Sequence, residues 1–123
     1  MNAVGYFFDN ARRLGQKRTI GDQNRAFLDF CSSQGYEVAG TFVDTEGDSD
    51  LPGFHQMIAH LQRADRGFTV VVVDSLGALG ADLGRSAMRL LTIENTGARV
   101  VSAHNGAEVA KELVDAWADH GED

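Results

Sequence analysis

The sequence is poor in the residues that crosslink a chain or cross a bilayer. Its 123 residues contain one cysteine, Cys31, and one proline, Pro52. A single cysteine excludes an internal disulfide, and without a signal peptide the chain is expected in the cytoplasm. No apolar run is long enough for a transmembrane helix, so we expect no contact with a membrane. At this length, one domain can bury a sufficient core without a disulfide or a metal.

Positive charge is also scarce. The chain has 11 Lys and Arg residues against 18 Asp and Glu residues, a formal net charge of −7. Because phosphate contacts need clustered cations, this balance argues against unaided DNA binding. Four cations nevertheless lie close together after the first strand: Arg12, Arg13, Lys17 and Arg18. They form either a solvated loop or a contact for an anion or a DNA phosphate.

Motifs that bind nucleotides or metals are missing as well. Neither Gly-x-Gly-x-x-Gly nor Gly-x-x-x-x-Gly-Lys-Ser/Thr occurs. The acidic segment Asp44–Asp50 alternates like a calcium loop, but Ser49 replaces the glycine of an EF-hand and His55 its glutamate. His104 has no evident partner, and Ser75 lacks a Gly-x-Ser-x-Gly context. We therefore expect a solvated acidic loop, a turn serine, no metal site and no cofactor.

The chain does contain apolar segments that alternate with amphipathic ones. Strands are predicted over Ala3–Phe8, Tyr36–Val43, Thr69–Val73 and Arg99–Ala103. Helices are predicted over Gln23–Gln34, from Pro52 to about Arg66, from Asp82 to about Asn95, and over Ala107–Ala118, with Asp22, Asp50 and Asp82 as capping residues. The order βαβαβαβα predicts an α/β fold of three layers, with a four-stranded, mainly parallel sheet and helices on both faces.

Hydrophobic periodicity predicts which side of each of the last two helices faces the sheet. In the third helix the inward residues are expected to be Leu83, Ala87, Leu90 and Leu91. In the last helix, Leu113, Val114 and Trp117 belong to one apolar stripe. That stripe either packs on the sheet or forms a contact between two copies of the chain.

The third strand is the centre of the pattern. Its valines end at Asp74 and Ser75, and a turn follows that reads Leu-Gly-Ala-Leu-Gly-Ala over residues 76–81. Open α/β sheets place their ligands at the carboxyl ends of the strands, where this turn lies. The turn carries almost no reactive side chain.

The spacing of these elements resembles the catalytic domain of serine recombinases, the resolvase–invertase family. Gly5 and Tyr6 in the first strand, the Thr-Phe-Val-Asp run that ends at Asp44, and the turn after Ser75 carry the resemblance, which covers roughly residues 3–104. It implies the resolvase catalytic-domain fold as one domain over residues 1–123. Family members continue through a long helix to a helix-turn-helix DNA-binding domain, and we expect none here.

The resemblance also implies where catalytic residues would lie. The first strand of family members leads into Tyr-x-Arg-x-Ser, whose serine attacks a DNA phosphate, but this chain has Phe8 and Asn10 at the arginine and serine positions. The aspartate after the second strand is kept as Asp44, and Leu51 replaces the arginine before the second helix. Three charged residues in the turn after the third strand are replaced by Gly77, Ala78 and Ala81.

Without a serine hydroxyl and its arginines, phosphoryl transfer has no nucleophile and little charge stabilisation. We therefore hypothesise a catalytically inactive relative that acts as a protein-interaction or regulatory module, as a homodimer or with another protein. One alternative is a small enzyme or cation-binding domain that uses strand-end groups: Asp9, Asp44, Asp74 and Ser75. Another is an accessory protein that binds DNA without cleaving it, through Arg12, Arg13, Lys17 and Arg18.

Overall fold

The structure is a computed structural model that describes residues 1–9, 19–45, 50–63, 69–80, 83–104 and 106–120, with the backbone alone for 119 and 120. Strands and helices alternate along the described chain. In order they are β1 (Asn2–Asp9), α1 (Ile20–Gln34), β2 (Glu37–Thr45), α2 (Pro52–Leu61), β3 (Thr69–Val73), α3 (Leu83–Glu94), β4 (Arg99–Ser102) and α4 (Val109–His120). A short 3₁₀ turn, Leu76–Ala78, follows β3.

The four strands form one sheet in the order β2-β1-β3-β4, and each of the three strand pairs is parallel. β3 lies inside the sheet, and all five of its residues are buried. Strands covered on both faces need apolar side chains at every position, which explains the run of valines. The predicted α/β fold with a parallel four-stranded sheet is confirmed.

Helices cover both faces of the sheet and divide the core in two. On one face, α1 packs Phe27 and Cys31 against Ala3 and Phe7 of β1. On the other face, α2, α3 and α4 pack against residues that include Val4, Tyr6 and Phe8 of β1, Val71 and Val73 of β3. β1 therefore contributes alternate residues to both halves of the core, as the period of a strand requires.

Helix α1 begins earlier than predicted. Its N-cap is Thr19 rather than Asp22, and the two residues form a reciprocal capping box. The Thr19 hydroxyl accepts from the amide of Asp22 at 3.0 Å, while an Asp22 carboxylate oxygen accepts from the amide of Thr19 at 3.2 Å. Asp22 therefore lies within the first turn of α1, where its carboxylate binds the backbone amide of the N-cap residue. Gly35 ends α1 in the left-handed conformation, with φ of 73°.

Helix α3 faces the sheet as predicted at Leu90, and Leu83 and Ala87 are half-buried, but Leu91 does not face inward. Ser86, Leu90 and Ile93 are its buried residues, while Leu91 is 58% exposed. These three are spaced at i, i+4 and i+7, so they share one face, and Leu91 lies about 100° round the helix from Leu90. The prediction that Leu91 faces inward is therefore wrong. The predicted cap Asp82 lies outside the described residues.

Helices α2 and α4 also depart from their predicted bounds. α2 ends at Leu61, five residues before the predicted end, and α4 begins at Val109, two residues late. In α4, Val109 is fully buried and Leu113 packs against the core, whereas Val114 and Trp117 remain 65% and 51% exposed. The predicted stripe is thus divided between the core and the surface. No helix within the described chain is long and apolar enough to span a membrane.

The start of α2 is tightly packed against β2. Its N-cap is Leu51 and not the predicted Asp50, and the Leu51 side chain makes no capping bond. Leu51 is buried and has a left-handed backbone, with φ of 46°. A Cβ on Gly53 would clash with the carbonyl oxygen of Val43 and would lie 2.9 Å from Oδ1 of Asp44. Glycine is required at residue 53 because the backbones of β2 and α2 approach closely there.

We predict that Gly53→Ala destabilises the protein by about 2 kcal/mol or more, because the added methyl displaces α2 from β2. The matched control is Gly21→Ala in α1, where a Cβ would meet only the Thr19 hydroxyl at 3.6 Å. That change is expected to be neutral or stabilising by up to about 1 kcal/mol. Urea unfolding measures both, and equal effects of the two substitutions would contradict the packing at Gly53.

Candidate functional site at the carboxyl edge of the sheet

The carboxyl ends of β2, β1 and β3 lie side by side and bring the predicted strand-end residues to one edge. Phe8 of β1 is in register with Asp44 of β2, and Tyr6 with Val73 of β3. Asp9 and Asp74 follow at the ends of the same strands. We define these residues and the turns after them as the carboxyl edge.

The side chain of Asp44 is extensively hydrogen-bonded at the carboxyl edge. It is 1% exposed. Its Oδ2 accepts hydrogen bonds from the hydroxyl of Tyr6 and the amide of Phe54, and its Oδ1 accepts from the amide of Gly53, each at 2.7 Å. Asp44 therefore caps α2 from the neighbouring strand, where a negative charge also favours the N-terminus of a helix. Its function in the described structure is to join β1, β2 and α2.

Tyr6 is fully buried beneath α2. Its ring lies edge-on to Phe54, with the centroids 5.8 Å apart and the planes at 79°. Burial, followed by the hydrogen bond to Asp44 and the charge of that carboxylate, raises the pKa of Tyr6 above its ordinary value. The hydroxyl is thus held neutral as a donor, which does not suit it to act as a nucleophile near neutral pH.

Apolar side chains occupy three of the positions that the family resemblance assigns to catalysis. Phe8, Leu51 and Ala78 are 7%, 8% and 5% exposed and belong to the same core cluster. Gly77 is half-buried in the 3₁₀ turn. Asn10, Ala81 and the basic residues Arg12, Arg13, Lys17 and Arg18 lie outside the described residues.

The backbone of Phe8 is held by Gln23, which the sequence analysis did not identify. The amide of Phe8 donates to Oε1 of Gln23 at 3.1 Å, and Nε2 of Gln23 donates to the carbonyl of Phe8 at 2.9 Å. Gln23 is buried, four residues before Phe27 on the face of α1 that covers the sheet. A polar residue on an otherwise apolar helical face was the available signal, because such a group needs a buried partner.

His104 and Asp74 form a pair that was also missed. Nε2 of His104 lies 3.3 Å from Oδ1 of Asp74, and the His104 side chain is half exposed while that of Asp74 is 8% exposed. The Ser102 hydroxyl donates to the carbonyl of Asp74 and accepts from the amide of His104. β3 and β4 are neighbours that end at the same edge, so their following residues meet. The sequence did not show which strands are neighbours, so it did not predict this contact.

The arrangement gives little support to a metal site. Within the described ranges, no group of three or more His, Cys, Asp or Glu residues could hold a metal ion. The oxygens of Asp44 already accept three hydrogen bonds. Cys31 is buried, and burial raises the pKa of its thiol, which keeps it unreactive. Residues 46–49 of the predicted acidic loop lie outside the described structure.

Comparison with known proteins identifies the type of domain. A sequence profile described as "Resolvase, N terminal domain" matches residues 11–116, a range that begins after β1. No curated protein sequence matches the chain. The structure is similar to the N-terminal catalytic domain of TP901-1 integrase, with a TM-score of 0.74 and 13% identity over 98% of this chain and 94% of the other.

Two further solved structures have the same fold. One is a resolvase family site-specific recombinase from Streptococcus pneumoniae, with a TM-score of 0.72 and 15% identity over 98% of this chain and 87% of the other. The other is the C-terminal catalytic domain of ISC1926 TnpA, an IS607-like serine recombinase, with a TM-score of 0.64 and 16% identity over 98% and 80%.

We predict a pH dependence of stability that arises from Tyr6. Because folding favours the neutral hydroxyl, the stability it contributes is fully present below the ordinary tyrosine pKa of about 10 and falls as the pH rises above it. At pH 8, Tyr6→Phe should cost about 1–3 kcal/mol through the lost bond to a carboxylate. Above pH 10 the difference in free energy of unfolding between the unaltered protein and Tyr6→Phe should narrow by about 1.4 kcal/mol per pH unit. Urea unfolding of both proteins measures it, and a constant gap would contradict the prediction.

Proposed function

The chain belongs to the resolvase N-terminal domain family and has the fold of serine recombinase catalytic domains, and from this we propose a function. We propose that the protein is a catalytically inactive member of the family that acts through protein contacts. The observation that carries the proposal is the packing of the carboxyl edge. Phe8 and Leu51, which replace two arginines in the family resemblance, are both buried in the core. A buried apolar side chain cannot offset the charge of a transferring phosphate.

The missing nucleophile supports the same proposal. The resemblance assigns the position of the attacking serine to Asn10. A carboxamide has no hydroxyl from which to form a phosphoester with DNA, so the covalent intermediate has no atom to attach to. Among the described residues at this edge, Tyr6 holds its proton and Asp44 accepts three hydrogen bonds, so neither replaces the serine.

The exposed faces of α3 and α4 supply a surface for protein contact. Met88 and Leu91 of α3 and Val114 and Trp117 of α4 are each more than half exposed, and the two helices pack against each other. We call these four residues the α3–α4 face. Within each helix the two residues are three apart and so share one side of it. Large apolar side chains exposed on neighbouring helices are typical of interaction sites, and tryptophan is enriched in them. A second copy of the chain is the first partner to test.

We predict that the purified protein forms no covalent adduct with duplex DNA at low salt. The assay scores denaturing gels for adducts and native gels for retention, with Asn10→Ser as a second sample. That variant should also form no adduct, because Phe8 and Leu51 remain in the places of the arginines.

Retention of DNA without an adduct would favour the accessory DNA-binding alternative. The variant that changes Arg12, Arg13, Lys17 and Arg18 to alanine should then lose the retention, because counterion release requires those cations. An adduct formed by the unaltered protein would refute inactivity, and Ser75→Ala would then be the first variant to examine.

For the α3–α4 face, we predict that Trp117→Ser lowers the weight-average sedimentation coefficient at high protein concentration. A polar side chain at the centre of an apolar contact removes buried area and weakens the association. Leu28→Ser on α1 is the control, because Leu28 is 45% exposed and lies on the opposite side of the sheet. Because each side chain is about half buried, both changes are expected to lower the free energy of unfolding by about 1–3 kcal/mol, and circular dichroism checks that both variants are folded before they are compared. Equal sedimentation of Trp117→Ser and the unaltered protein would exclude this face as a self-contact.

A further inference from the structure

β2 forms an open edge of the sheet. It is nine residues long, and within the described structure it pairs with β1 and with no other strand. An edge strand presents a row of backbone donors and acceptors that another strand can bind, and proteins commonly protect such edges with charge or proline. β2 contains no proline and no lysine.

The middle of β2 is also free of charge. Glu37 is exposed at its start, and Asp44 near its end is buried under α2. Between them the strand reads Val-Ala-Gly-Thr-Phe-Val, with no charged side chain over residues 38–43. When two β2 strands pair antiparallel about the centre of this stretch, no charged side chains face each other within it. Glu37 meets an aspartate, Asp44 of the partner subunit, only at the two ends of the stretch.

A register shift gives this stretch an unusual symmetry. Val38 is in register with Ala3 and Val43 with Phe7, and both partners belong to the core half under α1. Residues five apart in a regular strand point to opposite faces, but the extra residue at Ala39 brings Val38 and Val43 to the same face. They are 48% and 44% exposed.

Two other side chains of the stretch obey the same symmetry. Ala39 and Phe42 both pack against the core half under α2, on the other face of the sheet. A twofold axis between Gly40 and Thr41 would therefore set Val38 opposite a valine, Ala39 opposite a phenylalanine, and glycine opposite threonine. Antiparallel neighbours must project to the same face, and the two large pairs meet that condition. The central pair does not meet it, because Gly40 and Thr41 are in register with successive residues of β1 and face opposite sides of the sheet. Gly40 has no side chain, so no side-chain clash results there.

We propose that β2 pairs antiparallel with β2 of a second copy of this chain, which joins the two sheets into one of eight strands. Val38 then contacts Val43 of the partner subunit, and Val43 contacts the partner subunit's Val38. Such a contact is isologous, because the same surface serves both copies. The contact does not depend on the chain's inactivity. It also leaves the α3–α4 face open, because α4 contacts β4 at the opposite edge.

Paired cysteines test this arrangement in the full chain with Cys31→Ala as background. A mixture of Val38→Cys and Val43→Cys proteins should form a mixed disulfide under mild oxidation, because the paired Cα atoms would lie about 5 Å apart. Each variant alone should form at least about fivefold less dimer. Two copies of residue 38 would lie roughly 15 Å apart along the strands, beyond the reach of a disulfide.

A mixture of Val38→Cys with Trp117→Cys is the control for random collision, and it should give no more dimer than the single variants. The mixture of Val38→Cys and Val43→Cys proteins is repeated with Trp117→Ser in both. Crosslinking that persists in this repeat does not depend on contact through the α3–α4 face. As a second readout, Val43→Lys should lower the sedimentation coefficient, whereas Gln56→Lys, an exposed change on α2, should not. Equal crosslinking in all mixtures, or no dependence on Val43→Lys, would overturn the proposal.

Discussion

The buried carboxylate of Asp44 joins three elements through three hydrogen bonds, each of 2.7 Å. It binds the Tyr6 hydroxyl of β1 and two amides in the first turn of α2, and it is itself part of β2. A buried charge is tolerated only where such donors surround it, since an unpaired one costs several kcal/mol. These hydrogen bonds hold the first turn of α2 close to β2, where the backbone of Val43 and the carboxylate of Asp44 leave no room for a side chain at Gly53.

The same edge carries the catalytic residues in the family resemblance, and here it is used for packing. Phe8 extends the apolar core to the end of β1, and Gln23 satisfies the backbone of Phe8 from the other side of the sheet. Leu51 adds a buried side chain at the start of α2, at the cost of a left-handed backbone. A cation in either place would disrupt this apolar packing, and the neighbouring carboxylate of Asp44 already accepts three hydrogen bonds. Among the described residues of the carboxyl edge, Phe8 and Leu51 therefore contribute to the core.

The sequence predicted the order and type of the elements because period and turn residues are local signals. The run of valines in β3 and the glycine after α1 were sufficient for those two elements. The sequence did not predict Gln23 at Phe8 or His104 at Asp74, because both contacts depend on which strands and helices are neighbours. The exposure of Leu91 was missed for a related reason, and for the same reason the sequence left open whether Trp117 packs on the sheet or lies at the surface. An apolar stripe wider than the contact between a helix and a sheet does not show which part of it is covered.

The measurement that tests this account most directly is the stability of Phe8→Arg, which returns one family arginine to its place. If the carboxyl edge is packed core, a guanidinium there replaces a buried ring and must be desolvated beside Asp44, whose oxygens already accept three hydrogen bonds. The free energy of unfolding should then fall by about 3 kcal/mol or more. Met88→Arg, at a position that is 71% exposed, should change it by no more than about 0.5 kcal/mol. If Phe8→Arg proved as stable as Met88→Arg, the edge would still accommodate a phosphate-binding arginine, and the account would be wrong.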